Sequence, residues 1–307
     1  MFVLLVAMPG DAVTARLGEK SVGEGIEANI RAKYGLDKPL VVQYGKFFVN
    51  LAQGDLGYSF KNDRSVNVEL KETAKTSLRL LFWGAMVQIG GSLTLGFVSA
   101  AKKGSLIDRI TTVASVAAQA IPIFVGGLIA QVVFGVFPST HSLGWLSFNR
   151  FWPNQWHLGV FPAESWKGVV LPAVLVGIVE MAYLARLLRS SMLEVLRADY
   201  LRTAQAKGLS RPRVLIRHAL RNALIPYVTA AGLSLVAIFG IAVQTETVFS
   251  LYGIGSKVAE AAQTQDTPVV LGLTSVVILA ATMMSLLVDV SYSFLDPRIR
   301  VGEKHDA

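Results

Sequence analysis

Long apolar runs separated by short polar ones dominate this chain, and the runs set the elements to expect. Residues 78–101 ("LRLLFWGAMVQIGGSLTLGFVSAA") form one run, with Arg79 its single charge. Runs at 110–137, 168–188, 223–249 and 269–294 are also long enough for the ~20 apolar residues of a spanning helix. Gly, Pro122 and Pro172 fall inside them, which membrane helices tolerate better than soluble ones. The opening "MFVLLVAM" is too short to span and lacks the basic start of a signal peptide. It reads as the end of a helix whose beginning is missing. The expected fold is an all-α polytopic membrane protein on a six-helix plan, with the first helix truncated.

One segment breaks the apolar pattern. Arg197, Arg202, Lys207, Arg211, Arg213, Arg217 and Arg221 crowd into or beside "DYLRTAQAKGLSRPRVLIRHALRNALIPYV" (199–228), against only Glu194 and Asp199. The pattern predicts two short amphipathic helices across 189–222. The first covers roughly 191–206 and ends at Gly208, a residue suited to the left-handed position after a helix. Ser210 is placed to cap the second, with Pro212 in its first turn. Leu215, Ile216, Ala219, Leu220 and Ala223 then make one apolar face, and Arg213, Arg217 and Arg221 a basic stripe at i, i+4, i+8. Like charges at that spacing repel by a few tenths of a kcal/mol, so the stripe calls for an anionic partner. Lipid headgroups and an acidic protein surface both answer that description.

Charge also orients the chain. Lys102, Lys103 and Arg109 in 102–109, the cluster in 189–222, and Arg298, Arg300 and Lys304 in the tail mark the cytoplasmic side. The loops 138–167 and 250–268 carry little positive charge for their length and fall outside, as does the long 9–75 segment. The domain plan is then 1–75 (helix stump and external segment), 76–296 (transmembrane domain) and 297–307 (cytoplasmic tail). Four of the five tryptophans lie in the 138–167 loop. They suit an aromatic belt at the headgroups or a docking surface for an external partner.

Charged residues are 16% of the 307, and the net charge is +8. With hydrophobic residues at 52%, that excess of cations fits anionic lipid rather than nucleic acid. Without cysteine there is no disulfide, thiolate metal site or cysteine nucleophile. No G-x-x-x-x-G-K-[ST] loop occurs to cradle phosphates, and "GIGSK" at 253–257 has the wrong spacing. His141, His157, His218 and His305 are scattered and form no metal pair, so neither a metal site nor a cofactor is expected. No G-x-S-x-G elbow is present, and nothing supports an enzyme. Within the spans, Glu180 must face protein or a water-filled path, because an unpaired carboxylate in lipid is costly. Gln88, Gln119 and Gln131 are placed as bonders between helices, and Gln119 joins Glu180 and Glu246 as a candidate path residue. Glu246 lies near the outer end of its helix, where gating and snorkelling are both open to it.

The stretch "YLRTAQAKGLSRPRVLIRHALRNALIP" resembles the EAA-type cytoplasmic loop of ABC-transporter permeases, specifically the dipeptide/oligopeptide branch. The family pattern E-A-A-x-x-x-G, then I-x-L-P, falls on Arg202, Thr203, Ala204 and Gly208, then His218, Leu220 and Arg221. The Glu and the Pro are absent, so no ionic role carries over at Arg202. "MPGDAV" (8–13), "YGLDKPLVVQYGKFFVNLAQGDLGYSF" (34–60), "ETVFSLYGIGSKVAEAAQTQDTPVVLG" (246–272) and "DPRIR" (296–300) resemble other blocks of the same family, in the same order.

The resemblance implies a type I ABC importer-like permease that catalyses nothing itself. It implies a sister permease, two ATPase subunits carrying ATP and Mg, and an external solute-binding protein. Arg202, Thr203, Ala204, Ala206, Lys207, Gly208, Leu209, Ser210, Arg211, Arg213 and Arg217 would then form the helix that docks on an ATPase. The substrate implied is a short peptide, with nickel chelates and other small solutes as alternatives inside the family. A self-contained, ion-coupled secondary transporter or channel with Glu180 as its proton site is the competing class. Against it stands the lack of internal inverted repeats.

Overall fold

A computed structural model describes residues 37–136 and 167–295. "MFVLLVAM", the four tryptophans of the 138–167 loop, "DPRIR" and the tail lie outside the described residues. The elements are α1 (Leu40–Ala52), α2 (Val66–Ala101), α3 (Leu106–Ala120) and α4 (Ile123–Gln131), which runs on as a π-helical stretch, Val132–Val136. They continue with α5 (Lys167–Val195), α6 (Asp199–Ala206), α7 (Arg211–Arg213) with a second π-helical stretch Val214–Leu220, α8 (Arg221–Val248), α9 (Ile254–Gln263) and α10 (Thr267–Leu295). Among the described residues there is no strand, only an isolated antiparallel bridge between Tyr58 and Ser65.

Among the described residues four helices are long and apolar enough to cross a membrane, and a fifth span is available if α3 and α4 count as one. All five expected runs are therefore helical, with three corrections. The run 110–137 is not one straight helix: α3 and α4 meet at a bend of 105°. Pro122 explains the break, since it offers no N–H and drives Ile121 out of the helical region, to φ −90° and ψ 120°. Helix α2 starts at Val66, twelve residues ahead of the apolar run. Its opening turns mix apolar and polar residues, and Glu69, Thr73, Thr76 and Ser77 among them are shielded from solvent. Hydropathy therefore could not reveal them. Finally, the span expected at 223–249 begins earlier, because Arg211–Val248 is one continuous helical rod.

The chain divides into two compact units, one taking the chain up to Leu78 with Ser250–Ala280, the other Arg79–Phe249 with the chain from Ala281 onward. In the first, Leu56, Val66, Ala261, Val269 and Leu273 make a small apolar core. Asp266 holds the turn before α2 to the start of α10. It accepts from the Ser59 hydroxyl and from the Phe60 amide at 2.9 Å. On α9, buried Lys257 lies 3.2 Å from Glu260 and 3.9 Å from Glu69. Burial works against its ammonium, but the Glu260 hydrogen bond and the two carboxylate charges outweigh that and raise its pKa.

In the second unit, α5 is the central helix, packed by α2, α3 and α8. Its approach to α2 is close because small residues line the seam. A Cβ on Gly96 would fall 2.8 Å from the Ala185 carbonyl, and one on Gly177 2.6 Å from the Val87 Cβ. Between membrane helices such close packing replaces the hydrophobic effect as the source of cohesion.

Candidate functional site

Segment 189–222 departs from a braced helix end. Asp108, 4% exposed at the start of α3, takes a forked bond from Arg189 near the end of α5, with Nη2 at 2.9 Å from Oδ2. It also accepts from the Gly104 amide at 2.9 Å, and its own amide bonds the capping Ser105 hydroxyl. A two-pronged charge-assisted pair of this kind fixes orientation as well as adding energy. The sequence reading missed it, although one acid among Lys102, Lys103 and Arg109 was a visible signal.

The first expected helix, 191–206, is in fact two pieces. Helix α5 itself continues to Val195, and α6 starts at Asp199 after a short turn. Gly208 has φ +80°, the left-handed conformation expected of it. Its amide bonds the Gln205 carbonyl at 2.9 Å, and the Leu209 amide bonds the Ala204 carbonyl at 3.3 Å. Those two bonds make a Schellman termination of α6. Ser210 opens the next helix by its backbone, without a side-chain cap bond, and Pro212 occupies the first turn.

That second helix is no separate element but the leading end of the rod that becomes α8. Its buried face also differs from expectation. Val214, Ala219, Ala223, Tyr227 and Ala231 are buried, while Ile216 is 58% exposed. The spacing carries the reason: five residues separate 214 from 219, and four separate each later pair. The π-helical stretch bonds i to i+5, so its wider turn shifts the register that an α-helix would have kept. Ile216 instead lines an open apolar groove of about 820 Å³, with Leu93, Phe97, Leu224 and Val288.

The segment is seated by apolar anchors. Leu201 and Val214, each 1% exposed, pack in one cluster with Leu184, Leu188 and Met192 of α5. Asn222 also donates to the Tyr200 hydroxyl at 2.6 Å. The polar residues turn the other way. Arg202, Thr203, Ala206, Lys207, Gly208, Ser210, Arg211, Arg213 and Arg217 are exposed, and Ala204 and Leu209 are half-buried. The only acid bonded to this set among the described residues is Asp199, 3.3 Å from Arg202. The result is a rigidly mounted, outward-facing cationic surface.

The three path candidates are not gathered into one place. Glu180 is half-buried and accepts from the Ser234 hydroxyl, which itself accepts from Gln88 Nε2 at 2.6 Å. Gln88 Oε1 is buried with no bonding partner. One turn along α2, Ser92 bonds Tyr227 at 2.6 Å. Gln119 is exposed and accepts from Arg186. Glu246 is buried on α8, twelve residues or about 18 Å of helix beyond Ser234. Gln131 donates to the Val248 carbonyl at 2.8 Å. All three glutamines thus bond other helices, as membrane glutamines do. Among the described residues no group of acids and histidines could hold a metal ion.

Among the described residues the chain is helical, spans a membrane several times and carries an exposed basic segment, an arrangement consistent with a transporter permease. Residues 92–301 match the family of binding-protein-dependent transport system inner membrane components. The di/tripeptide transport system permease protein DppB of Pseudomonas aeruginosa is 37% identical over 97% of this chain and 92% of its own length. The dipeptide transport system permease protein DppB of Haemophilus influenzae is 38% identical over 97% and 93%. The oligopeptide transport system permease protein AppB of Bacillus subtilis is 33% identical over 97% and 92%. A crystal structure of an amino acid ABC transporter with histidines shares the fold at a TM-score of 0.54 and 10% identity, over 74% of this chain and 94% of that one. The chain therefore belongs to the family of binding-protein-dependent transport system inner membrane components, as a permease of the dipeptide/oligopeptide branch.

Proposed function

We propose that this chain is one membrane subunit of an ATP-driven importer of short peptides and that segment 189–222 couples it to ATPase subunits. The observation that carries the reading is similarity over 97% of the chain to permeases named for dipeptides and oligopeptides. In this reading a sister permease supplies the other half of the path, and an external solute-binding protein delivers the peptide. ATP and Mg2+ belong to the two ATPase subunits. The domain plan follows, with 1–75 largely external, 76–296 as permease and 297–307 as tail.

The chemistry asked of the segment is mechanical. It must bind one nucleotide state of the ATPase better than the other, because only differential affinity can shift the permease between conformations. A surface held by Leu201, Val214 and the Gly208 turn suits that task, since a slack element would absorb the displacement. The exposed cations add steering and specificity.

The test is dipeptide uptake and substrate-stimulated ATP hydrolysis in the reconstituted complex. Gly208→Val strains a left-handed residue by about 1–2 kcal/mol, and Ala204→Asp puts a charge into the proposed contact. Both variants are expected to insert and assemble, yet to lose most uptake and stimulation. Full activity in both would reject coupling through this segment.

A further inference from the structure

A second feature overlaps the basic segment and shares Arg197 and Arg211 with it. A crevice of about 350 Å³ opens between the end of α2, the end of α5 and the start of α7. Lys102, Lys103, Arg197 and Arg211 line it with no carboxylate, and Leu193 and Leu196 are among its apolar walls. These cations come from three separate elements: the α2–α3 loop, the α5–α6 turn and α7. Arg211 is held in place by a 3.3 Å bond to the Ala101 carbonyl at the end of α2. None of the four makes a close ion pair among the described residues, and the nearest carboxylate felt by Lys103 is Asp108, which is already bonded to Arg189.

We propose that this crevice binds the phosphodiester headgroup of an anionic phospholipid from the cytoplasmic leaflet. The apolar run 78–101 of α2 is about 36 Å long, a little more than the ~30 Å hydrocarbon core. Lys102 and Lys103 therefore fall at the level of the headgroups. Four cations around one cavity, none in a close ion pair, concentrate positive charge in a way that a single surface lysine does not. The apolar walls provide for the glycerol backbone, which a free anion would leave uncovered. Basic pockets between membrane helices on the cytoplasmic side are suited to such headgroups. The inference rests on the membrane placement of these helices and not on ATPase docking, so either can fail without the other.

The full chain, purified in neutral detergent, would be loaded with dioleoyl phosphatidylglycerol or dioleoyl phosphatidylcholine and its retained lipid counted by native mass spectrometry. One phosphatidylglycerol per chain is expected to persist, favoured over phosphatidylcholine by about tenfold or more. Lys102→Gln combined with Lys103→Gln and Arg197→Gln should erase that preference. Neutralising Lys38, Lys46 and Lys71 instead should leave it intact. A photoactivatable phosphatidylglycerol on the wild-type chain should label 193–197 and 101–103, which locates the site even if the triple variant fails to fold. Equal retention of the two lipids, labelling confined to other regions, or an unchanged triple variant would overturn the proposal. So would displacement by excess inorganic phosphate, which would assign the crevice to a free anion, or displacement by added ATPase subunits, which would make it a protein contact.

Discussion

The basic segment 189–222 and the Glu180–Ser234–Gln88 row are two islands of polarity in an apolar chain, handled in opposite ways. In the segment, the anchors Leu201 and Val214 turn inward and the cations outward. In the row, Glu180, Ser234 and Gln88 Nε2 bond one another between helices, and only Gln88 Oε1 is left without a partner. An exposed cation keeps its hydration and needs no partner, so its interaction energy is available to another molecule. A buried polar atom has lost its water and must find its partner inside the chain. The segment is therefore the region equipped for work between molecules, and the row for holding helices together.

Leu201→Asp should break this contrast most severely. It places a carboxyl in the cluster of Leu184, Leu188 and Met192, at a cost on the order of 3 kcal/mol or more. Protease sensitivity within 197–213 in inside-out vesicles should rise sharply and uptake should vanish while the spans still insert. Asp108→Asn comes next. It strips the fork from Arg189, which is partly open to solvent, so the loss should be about 1–3 kcal/mol. A lower thermal midpoint, with uptake reduced but measurable, is the expected result.

Changes in the row should be milder. Glu180→Gln keeps an oxygen to accept from Ser234, so peptide uptake and its pH profile should stay near wild type. Loss of all uptake in that variant would favour an ion-coupled transporter instead. Gln88→Leu removes an amide whose oxygen is already unpartnered, and its cost should stay within about 1 kcal/mol, read as a small shift in thermal midpoint. Arg213→Gln should be smallest, since an exposed charge away from any carboxylate adds little to folding. A large drop in stability there would mean the cationic surface is structural.

The five apolar runs at 78–101, 110–137, 168–188, 223–249 and 269–294, their order and the Gly208 turn were legible in the residues. Each depends on local properties: apolar length, or the freedom of a residue without a Cβ. The Gly208 prediction succeeded because only a few residue types tolerate φ +80°. Ile216 was misassigned because the α-helical period was carried through a stretch that winds as a π-helix, and no single residue in "VLIRHAL" announces that winding.

Other features arose only from the folded arrangement. The Glu69–Lys257 pair at the start of α2, the Asp108–Arg189 fork, and the hydrogen bond joining Gln88 to Ser234 each pair residues far apart in sequence. So does the crevice that gathers Lys102, Lys103, Arg197 and Arg211. Apolar patterning reports the free energy of placing one residue in lipid or in water, which is a property of that residue. Which polar groups meet is set by how helices from distant parts of the chain pack, and that is decided by the close fit of surfaces such as Gly96 against Ala185. The residues by themselves therefore determined a multi-span membrane chain with one cationic segment. Only the tertiary structure decided which of its charges are bonded within the chain and which are left free for a partner.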